Sequence, residues 1–588
     1  MYITNVLMKG FRNFKDTKVN FNEKTLIIGA NDIGKSNLIY ALRILLDKKL
    51  SEADLEPKDS DFYVHEKTDE IFIQLKFEQV TEDCIVGKIG KYVSDTGILY
   101  LAYHAIREAT GEKKYQFFIG ASEDDLQEIE SRFYLKVLNM DYIESSRELF
   151  SYIKKEKKNL LLEAKKQRSD QTTSEDEKIT RKIEKSIDIL NKRLIKLSYI
   201  NSATTNLNEE LTKLSLHHLN NNIAFDVGGT DVDNFINNLD LVSKINEKSL
   251  AVGGDGRNNQ IFLALRTSKN RLVEEVPLEI TICCIEEPEA HLHPHQQRRL
   301  SKYLVETLNS QVIITSHSPQ IASEFSPDSI VRLYHDGVST NAANDGCSDL
   351  IEQSLIEFGY RLDIIPAETF FSTLVFLVEG PSEVLFYKAL ASDLGIDLDK
   401  YNISILMVDG VGFESYIDIL NNLNIDWILR TDHDIFKVPK KDYYYFSGIL
   451  RAVKVYEKFR NNDKTFDKLI QENKDKLTGI NDRENLKIDE IELASKFINQ
   501  LEEHDIFLSK VDLEHDLLDT PLRPILNDFY DETSDDALLT LMQNRKGTSM
   551  FEFLNANQGK LDILKDSNIA KPLWRCKEII EVLHNESF

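Results

Sequence analysis

The chain has 588 residues, a hydrophobic fraction of 41% and a formal net charge of −26. That length exceeds one domain and implies three or four units with real cores, while the acidity excludes a protein that coats nucleic acid with a uniformly basic surface, leaving room for a local basic groove or for metal-binding carboxylates. The five cysteines, two of them adjacent at Cys283 and Cys284, have neither zinc-ligand nor disulfide spacing. With no run of membrane-spanning length and no signal peptide pattern, they point to a reducing, cytoplasmic setting.

Residues 2–8 and 18–28 predict two strands. The second, Val19 to Ile28, runs into Gly29-Ala-Asn31-Asp-Ile-Gly34-Lys35-Ser36, and a helical pattern starts at Asn37. This is G-x-x-x-x-G-K-[ST] between a strand and a helix, the context that motif requires. Its glycines let backbone N–H groups wrap a phosphate, Lys35 reaches the β/γ-phosphates, and Ser36 can ligate Mg²⁺. Gly29, Asn31, Gly34, Lys35, Ser36 and Asn37 are therefore the expected ATP-binding residues. Arg12, just upstream, either reaches a phosphate or is a surface arginine.

Residues 50–140 predict mixed short strands without readable chemistry. From about 144 to 215, Lys, Glu, Ser, Asn and Leu dominate, and Ile183, Ile187, Leu190, Leu194 and Leu197 recur at helical spacing. The pattern predicts a helical hairpin with a flexible centre near Ser169–Ser174. It either packs on its own domain or holds two subunits together. Gly253, Gly254 and Gly256 then lead into another helical pattern, forming either a second anion-cradling loop or a tight turn.

The apolar run Leu278–Ile285 predicts a buried strand ending in Glu286-Glu287-Pro-Glu-Ala-His-Leu-His-Pro294. Such paired carboxylates supply a metal-binding acid and a base that polarises water. A third strand, Gln311 to Thr315, ends in Ser316-His317, where His317 can sense a γ-phosphate at the same sheet edge. In this order the motifs resemble ABC-type ATPase heads of the RecF and SMC kind. The resemblance implies that two heads sandwich two ATP molecules, with Glu286 as the metal-side acid, Glu287 as the catalytic base, His317 as the switch histidine, and Gly254 and Gly256 closing the partner's nucleotide site. A serine often precedes the signature glycine in that family. Here the position is Gly253, which implies slow hydrolysis or a conformational role for ATP.

After a linker, Leu374–Val378 predicts a buried strand that stops at Glu379-Gly380-Pro381 before a helix. Glu383 lies one helical turn on, where it faces the same spot as Glu379 or caps the helix. Ile403–Val408 predicts a strand leading to Asp409 and a glycine turn. Asp426–Thr431 predicts a strand ending in Asp432-His-Asp434, whose two carboxylates share a side. With Glu379 they make an oxygen-ligand cluster for Mg²⁺ or Mn²⁺. Strand-Glu-Gly, strand-glycine and strand-D-x-D form the pattern of a Toprim domain. Asp512, Glu514 and Asp516 follow another strand at Ile506, and Arg545 and Lys546 sit in a basic loop.

Taken together, the chain resembles the OLD (overcoming lysogenization defect) nucleases, especially the Gabija A-type branch and the retron-associated effectors. The resemblance implies an α/β architecture: an ABC-type head over 1–345 with a helical dimerisation insertion, a linker over 346–370, and a Toprim domain with a helical, acidic C-terminal extension over 371–588. It implies a two-metal DNA endonuclease regulated by ATP, acting in antiphage defence. Glu379, Asp432 and Asp434 would serve one metal with Glu383 nearby, Asp512 and Glu514 the second, and Lys546 the scissile phosphate. It further implies a homodimer or higher even oligomer through the heads, and a partner that is either a retron reverse transcriptase with its RNA–DNA hybrid or a UvrD-like helicase. The alternative is a RecF- or SMC-like DNA-repair ATPase whose Toprim part binds DNA without cutting.

Overall fold

The computed structural model describes residues 1–144, 149–214, 278–348, 367–408 and 412–586, apart from 291, 309, 483 and 484, together with short pieces between 232 and 265. The chain divides into two compact units. One comprises 1–143, 279–289 and 294–588, and the other 144–278 with 290–293.

The first half is built on a six-stranded sheet. Its order is Thr340–Ala342, Ile330–His335, Lys24–Ile28, Val312–Thr315, Ile280–Glu286 and Leu138–Ile143. All neighbours run parallel except the Thr340–Ala342 edge. Parallel strands covered on both faces demand unbroken apolar runs. Leu26, Ile27, Ile28, Ile313 and Ile314 are all fully buried. An antiparallel sheet, ordered Phe14–Asn20, Tyr2–Phe11, Glu70–Glu78, Leu99–Arg107, Lys113–Gly120 and Leu126–Ile129, shares its core. Leu38, Leu42 and Leu45 of helix Lys35–Leu46 pack in one cluster with Ile73, Leu75 and Leu101 of this sheet and Cys284, Ile313 and Val331 of the other. The P-loop helix is thus held between two sheets.

Two expected elements differ. The single strand expected over 18–28 is two, because the chain turns at Asn22: its N–H donates to Thr25 Oγ1 at 2.9 Å, and that hydroxyl donates back to Asn22 O at 3.0 Å. The first piece joins the antiparallel sheet and the second the parallel one. The helical hairpin expected over 144–215 is three helices, Leu149–Lys166, Asp170–Leu194 and Ser198–Leu214. Ser169, expected in a flexible centre, instead caps the middle helix by accepting from Thr172 N at 3.3 Å. The polar cluster there is a capping signal.

In the second half, a parallel sheet runs in the order Ile403–Met407, Leu374–Val378, Asp426–Thr431 and Ile506–Leu508. Every residue of Leu374–Val378 is fully buried. Leu374, Phe376 and Val378 share a core with Leu513, Leu517, Leu538, Met550, Phe553 and Leu573, so the C-terminal helices pack against this sheet. Arg332, on the strand beside the P-loop strand, donates to Leu423 O, Asn424 O and Ser372 O at 2.9–3.0 Å. It ties the first sheet to the turn that precedes Asp426–Thr431.

Candidate nucleotide and carboxylate sites

The first site lies where three parallel strands end together. Gly34 has φ of 107°, and a Cβ there would lie 2.0 Å from Asn13 Nδ2, so the loop requires glycine. Asn13 Nδ2 donates to Ile33 O at 2.8 Å, Asn37 Nδ2 donates to Asn13 Oδ1 at 2.7 Å, and Arg12 Nη1 donates to Asn37 Oδ1 at 2.8 Å. Arg12 also pairs with Asp61 at 2.9 Å and covers the Tyr40 ring. It therefore braces the loop. Lys35 is folded onto the loop, donating to Gly29 O at 2.9 Å and Ala30 O at 2.7 Å. Burial pushes its ammonium down to about 8, against the pull of Glu287, Asp32, Glu289 and Glu286.

Glu286 is buried and accepts from Tyr142 OH at 2.7 Å. Glu287 has φ of 43°, a left-handed backbone that non-glycine residues rarely adopt, and its carboxylate lies 3.4 Å from His317 Nε2. Burial, with Lys35 nearby, holds the His317 imidazole below its ordinary value. Glu289 is a further member that the motif contained without a role. It accepts from Ser316 Oγ at 2.7 Å and from His317 N at 2.8 Å, fixing the histidine turn. Burial raises its carboxyl. The expected Gly254 and Gly256 loop lies outside the described residues.

The second site gathers at the ends of the Toprim-like strands. Glu379 Oε1 accepts from Asp432 N at 2.9 Å, from Arg451 Nη2 at 2.9 Å and from the Thr431 hydroxyl. Arg451 Nη2 also reaches Asp434 Oδ2 at 3.2 Å and Asp432 O at 3.0 Å. Ser509 Oγ donates to Asp432 Oδ1 at 3.1 Å. Glu383, at the start of helix Pro381–Asp393, is buried and turns back over Gly380. Burial raises Asp432 to about 7; Arg430 opposes this, while Glu379, Glu383 and Asp512 add to it. Burial raises Asp434 too, against Arg451.

Asp512 caps helix Leu513–Leu518, and Glu514 lies in its first turn. Lys546 begins helix Lys546–Ala556; the expected short basic loop is only the Asn544-Arg545 link before it. Lys546 Nζ lies 3.0 Å from Glu514 Oε2 and 3.4 Å from Asp512 Oδ2. Gln543 Nε2 donates to Asp512 Oδ2 at 2.8 Å. The His515 ring nitrogen lies 2.5 Å from Asp512 Oδ1. Burial works to raise Asp512, but the bonds from His515 outweigh it and hold the carboxyl below the usual range. Burial raises Glu514, while Glu514, Asp512 and Asp432 together keep the Lys546 ammonium above its ordinary value despite burial. Asp432 thus interacts electrostatically with members of both groups.

The carboxylates of both groups offer hard oxygens, the donor type that suits Mg²⁺ or Mn²⁺. Burial is the main cause of the raised Asp432 carboxyl, and Glu379, Glu383 and Asp512 add to it, a negative charge that a divalent cation would relieve. Among the described residues no three His, Cys, Asp or Glu side chains already form a metal-ligand set. Glu379 and Asp434 are bridged by the Arg451 guanidinium instead. Motif reading missed Arg451, Ser509, His515 and Gln543.

The sequence profile described as "AAA ATPase domain" matches residues 1–322, more than half of the chain. The profile described as "Overcoming lysogenization defect protein-like, TOPRIM domain" matches residues 370–434. The chain belongs to the AAA ATPase domain family and, by the TOPRIM match over residues 370–434, to the OLD family. It is 26% identical over 548 residues to Endonuclease GajA of Bacillus cereus, covering 88% of this chain and 89% of that protein. It is 27% identical over 227 residues to OLD nuclease of Thermus scotoductus, covering 36% of this chain and 42% of that protein. Among solved structures, the SMC head bound to the C-terminal winged-helix domain of ScpA aligns at 15% identity and a TM-score of 0.37, covering 58% of this chain and 97% of that one. This OLD-family chain therefore joins an ATPase domain to a TOPRIM domain, a pairing that implies use of nucleotide and divalent metal.

Proposed function

We propose that this OLD-family chain is a metal-dependent DNA endonuclease whose TOPRIM site is governed by ATP at the P-loop site. The observation that carries this reading is the gathering of Glu379, Glu383, Asp512 and Lys546 within electrostatic reach of Asp432, with Arg451 joining Glu379 to Asp434 and Lys546 joining Asp512 to Glu514. Glu379, Glu383, Asp432 and Asp434 would hold one divalent ion, and Asp512 and Glu514 a second. Such ions activate water and neutralise charge on a phosphodiester. Lys546 then supplies a fixed positive charge for the scissile phosphate. At the other site Lys35 and Ser36 would hold the phosphates and their Mg²⁺ with Glu286, and Glu287, beside His317, would polarise water.

Pairing of two heads, a cytoplasmic location and service as the effector of an antiphage system, with a retron reverse transcriptase or a UvrD-like helicase, complete the proposal. No helix among the described residues is long and apolar enough to cross a membrane.

Incubation of supercoiled plasmid with Mg²⁺ or Mn²⁺, with and without ATP, tests the reading. Nicked or linear product is expected, and intact DNA across metals, nucleotide states and the added partner overturns it. Lys35→Ala is expected to weaken ATP binding at least about tenfold, the scale of one lost charge-assisted hydrogen bond. Fluorescent-nucleotide titration measures this, and a change in ATP control of cleavage should accompany it.

A short hairpin follows Asp434 directly. Strands Ile435–Lys437 and Tyr444–Phe446 pair Phe436 with Tyr445 and Lys437 with Tyr444, and Lys440 and Lys441 are exposed at its tip. Phe436 is half exposed, at 50%. Aromatic faces with lysines suit stacked bases and phosphates. Joint replacement of Phe436, Lys440 and Lys441 by alanine is expected to weaken DNA binding about tenfold or more and to flatten its salt dependence. Fluorescence anisotropy in Ca²⁺ reads this out, with Mn²⁺ affinity unchanged.

A further inference from the structure

We propose that Arg451 is a resident counter-cation of the carboxylate cluster, holding Glu379 and Asp434 together before a divalent ion arrives and yielding Asp434 to that ion. The proposal rests on the metal-site reading above and adds a residue that no motif contains.

The geometry sets the guanidinium apart from an ordinary structural arginine. Its Nη2 carries two hydrogens but faces three oxygens: Glu379 Oε1 at 2.9 Å, Asp432 O at 3.0 Å and Asp434 Oδ2 at 3.2 Å. One of these bonds is therefore shared, and the Asp434 bond is the longest. Two anchors do not depend on carboxylate charge: the Asp432 carbonyl, and Thr431 Oγ1, to which Nε donates at 3.0 Å. When another cation takes Asp434, Arg451 loses its weakest bond and keeps its anchors.

Its placement is enforced one helical turn earlier. A Cβ on Gly448 would lie 2.2 Å from Asp432 O and 2.8 Å from His433 Cα, so helix Ser447–Phe459 is pressed onto the D-x-D turn where only glycine fits. Arg451, at i+3, then lies over the same turn. Arg430 provides the contrast. It is deeply buried, pairs with Asp516 at 2.8 Å and lies near the Tyr387 ring, without a hydrogen bond to the Glu379–Asp434 pair.

A positive charge among the ligands disfavours a second cation there. Removing it should tighten metal binding while loosening the metal-free protein. Arg451→Met keeps the length and removes the charge. Mn²⁺ titration followed by electron paramagnetic resonance is expected to show affinity higher by at least about tenfold, the scale of short-range like-charge repulsion in a partly solvated site. The metal-free melting temperature should fall, and Mn²⁺ should raise it by more than in the unmodified protein. Arg451→Lys keeps the charge, so its Mn²⁺ affinity should stay below that of Arg451→Met. Unchanged or weaker Mn²⁺ binding in a cooperatively folded Arg451→Met protein overturns the proposal, and Arg451→Gln provides the same test should the methionine variant fail to fold. Glu379→Gln separates the two readings. If the unmodified protein binds Mn²⁺ no better than Glu379→Gln, the metal-site reading itself fails; if it binds better but Arg451→Met does not tighten, only the counter-cation role fails.

Discussion

Glu379→Gln is expected to lower metal-dependent DNA cleavage by at least about 100-fold, with DNA binding in Ca²⁺ retained. Glutamine has nearly the shape of glutamate, and its amide oxygen can still accept from Asp432 N and the Thr431 hydroxyl, the contacts that place Glu379 at the end of its strand. What it lacks is the charge. Glu379 is the carboxylate shared by the strand end, the D-x-D turn and Arg451, so its neutralisation leaves Asp434 alone against the guanidinium and removes a ligand from the first ion. Single-turnover cleavage of labelled duplex, with Mn²⁺ binding measured in parallel, checks the expectation. Cleavage within about threefold of the unmodified protein would remove Glu379 from the reactive centre. Loss of cleavage with intact Mn²⁺ binding would take Glu379 out of the ligand set and overturn the metal-site reading.

The elements that carry Glu379, Asp432, Glu286 and His317 were legible because each holds a short, largely apolar run broken by a polar turn. A strand buried on both faces in a parallel sheet must read that way. The same logic failed at 18–28, where two strands of different sheets are separated only by the Asn22–Thr25 turn. It failed also at Ser169, where a capping serine sits inside a polar stretch that resembles a loop. Arg451 was invisible for a different reason. Its role depends on helix Ser447–Phe459 folding back onto a turn about fifteen residues upstream, and the local sequence Ser-Gly-Ile-Leu-Arg shows only a glycine followed at i+3 by a cation. Ser509, His515 and Gln543 are likewise side-chain donors brought in by tertiary packing. Lys546 was named by resemblance, and the structure shows it at a helix start paired to Asp512 and Glu514.

Metal affinity should rise with pH through about 7, and Asp432 sets the midpoint. Its carboxyl is pushed to about 7 by burial, with Glu379, Glu383 and Asp512 adding to the rise and Arg430 opposing it; the usual aspartate value is 3.8. Below pH 7 a divalent ion must displace the Asp432 proton, so apparent affinity should fall about tenfold per pH unit on that side and level off above it. Asp434 and Glu514, both raised chiefly by burial, act in the same direction. Stability follows with a determined sign. The folded, metal-free protein binds the Asp432 proton more tightly than the unfolded chain. The contribution of Asp432 to stability is therefore complete below about 4 and is lost as pH rises to about 7. Asp512, held low by His515, acts oppositely and stabilises above its ordinary value. Between pH 5 and 8 Asp512 is ionised in both states, so Asp432 governs the slope among this pair. The rise in melting temperature caused by Mg²⁺ should accordingly grow from pH 5.5 to 8, and Asp432→Asn should flatten that growth. A Mg²⁺-induced rise that is the same at pH 5.5 and 8 in the unmodified protein would mean that Asp432 is already ionised throughout, and that burial does not hold a proton on it for the ion to displace.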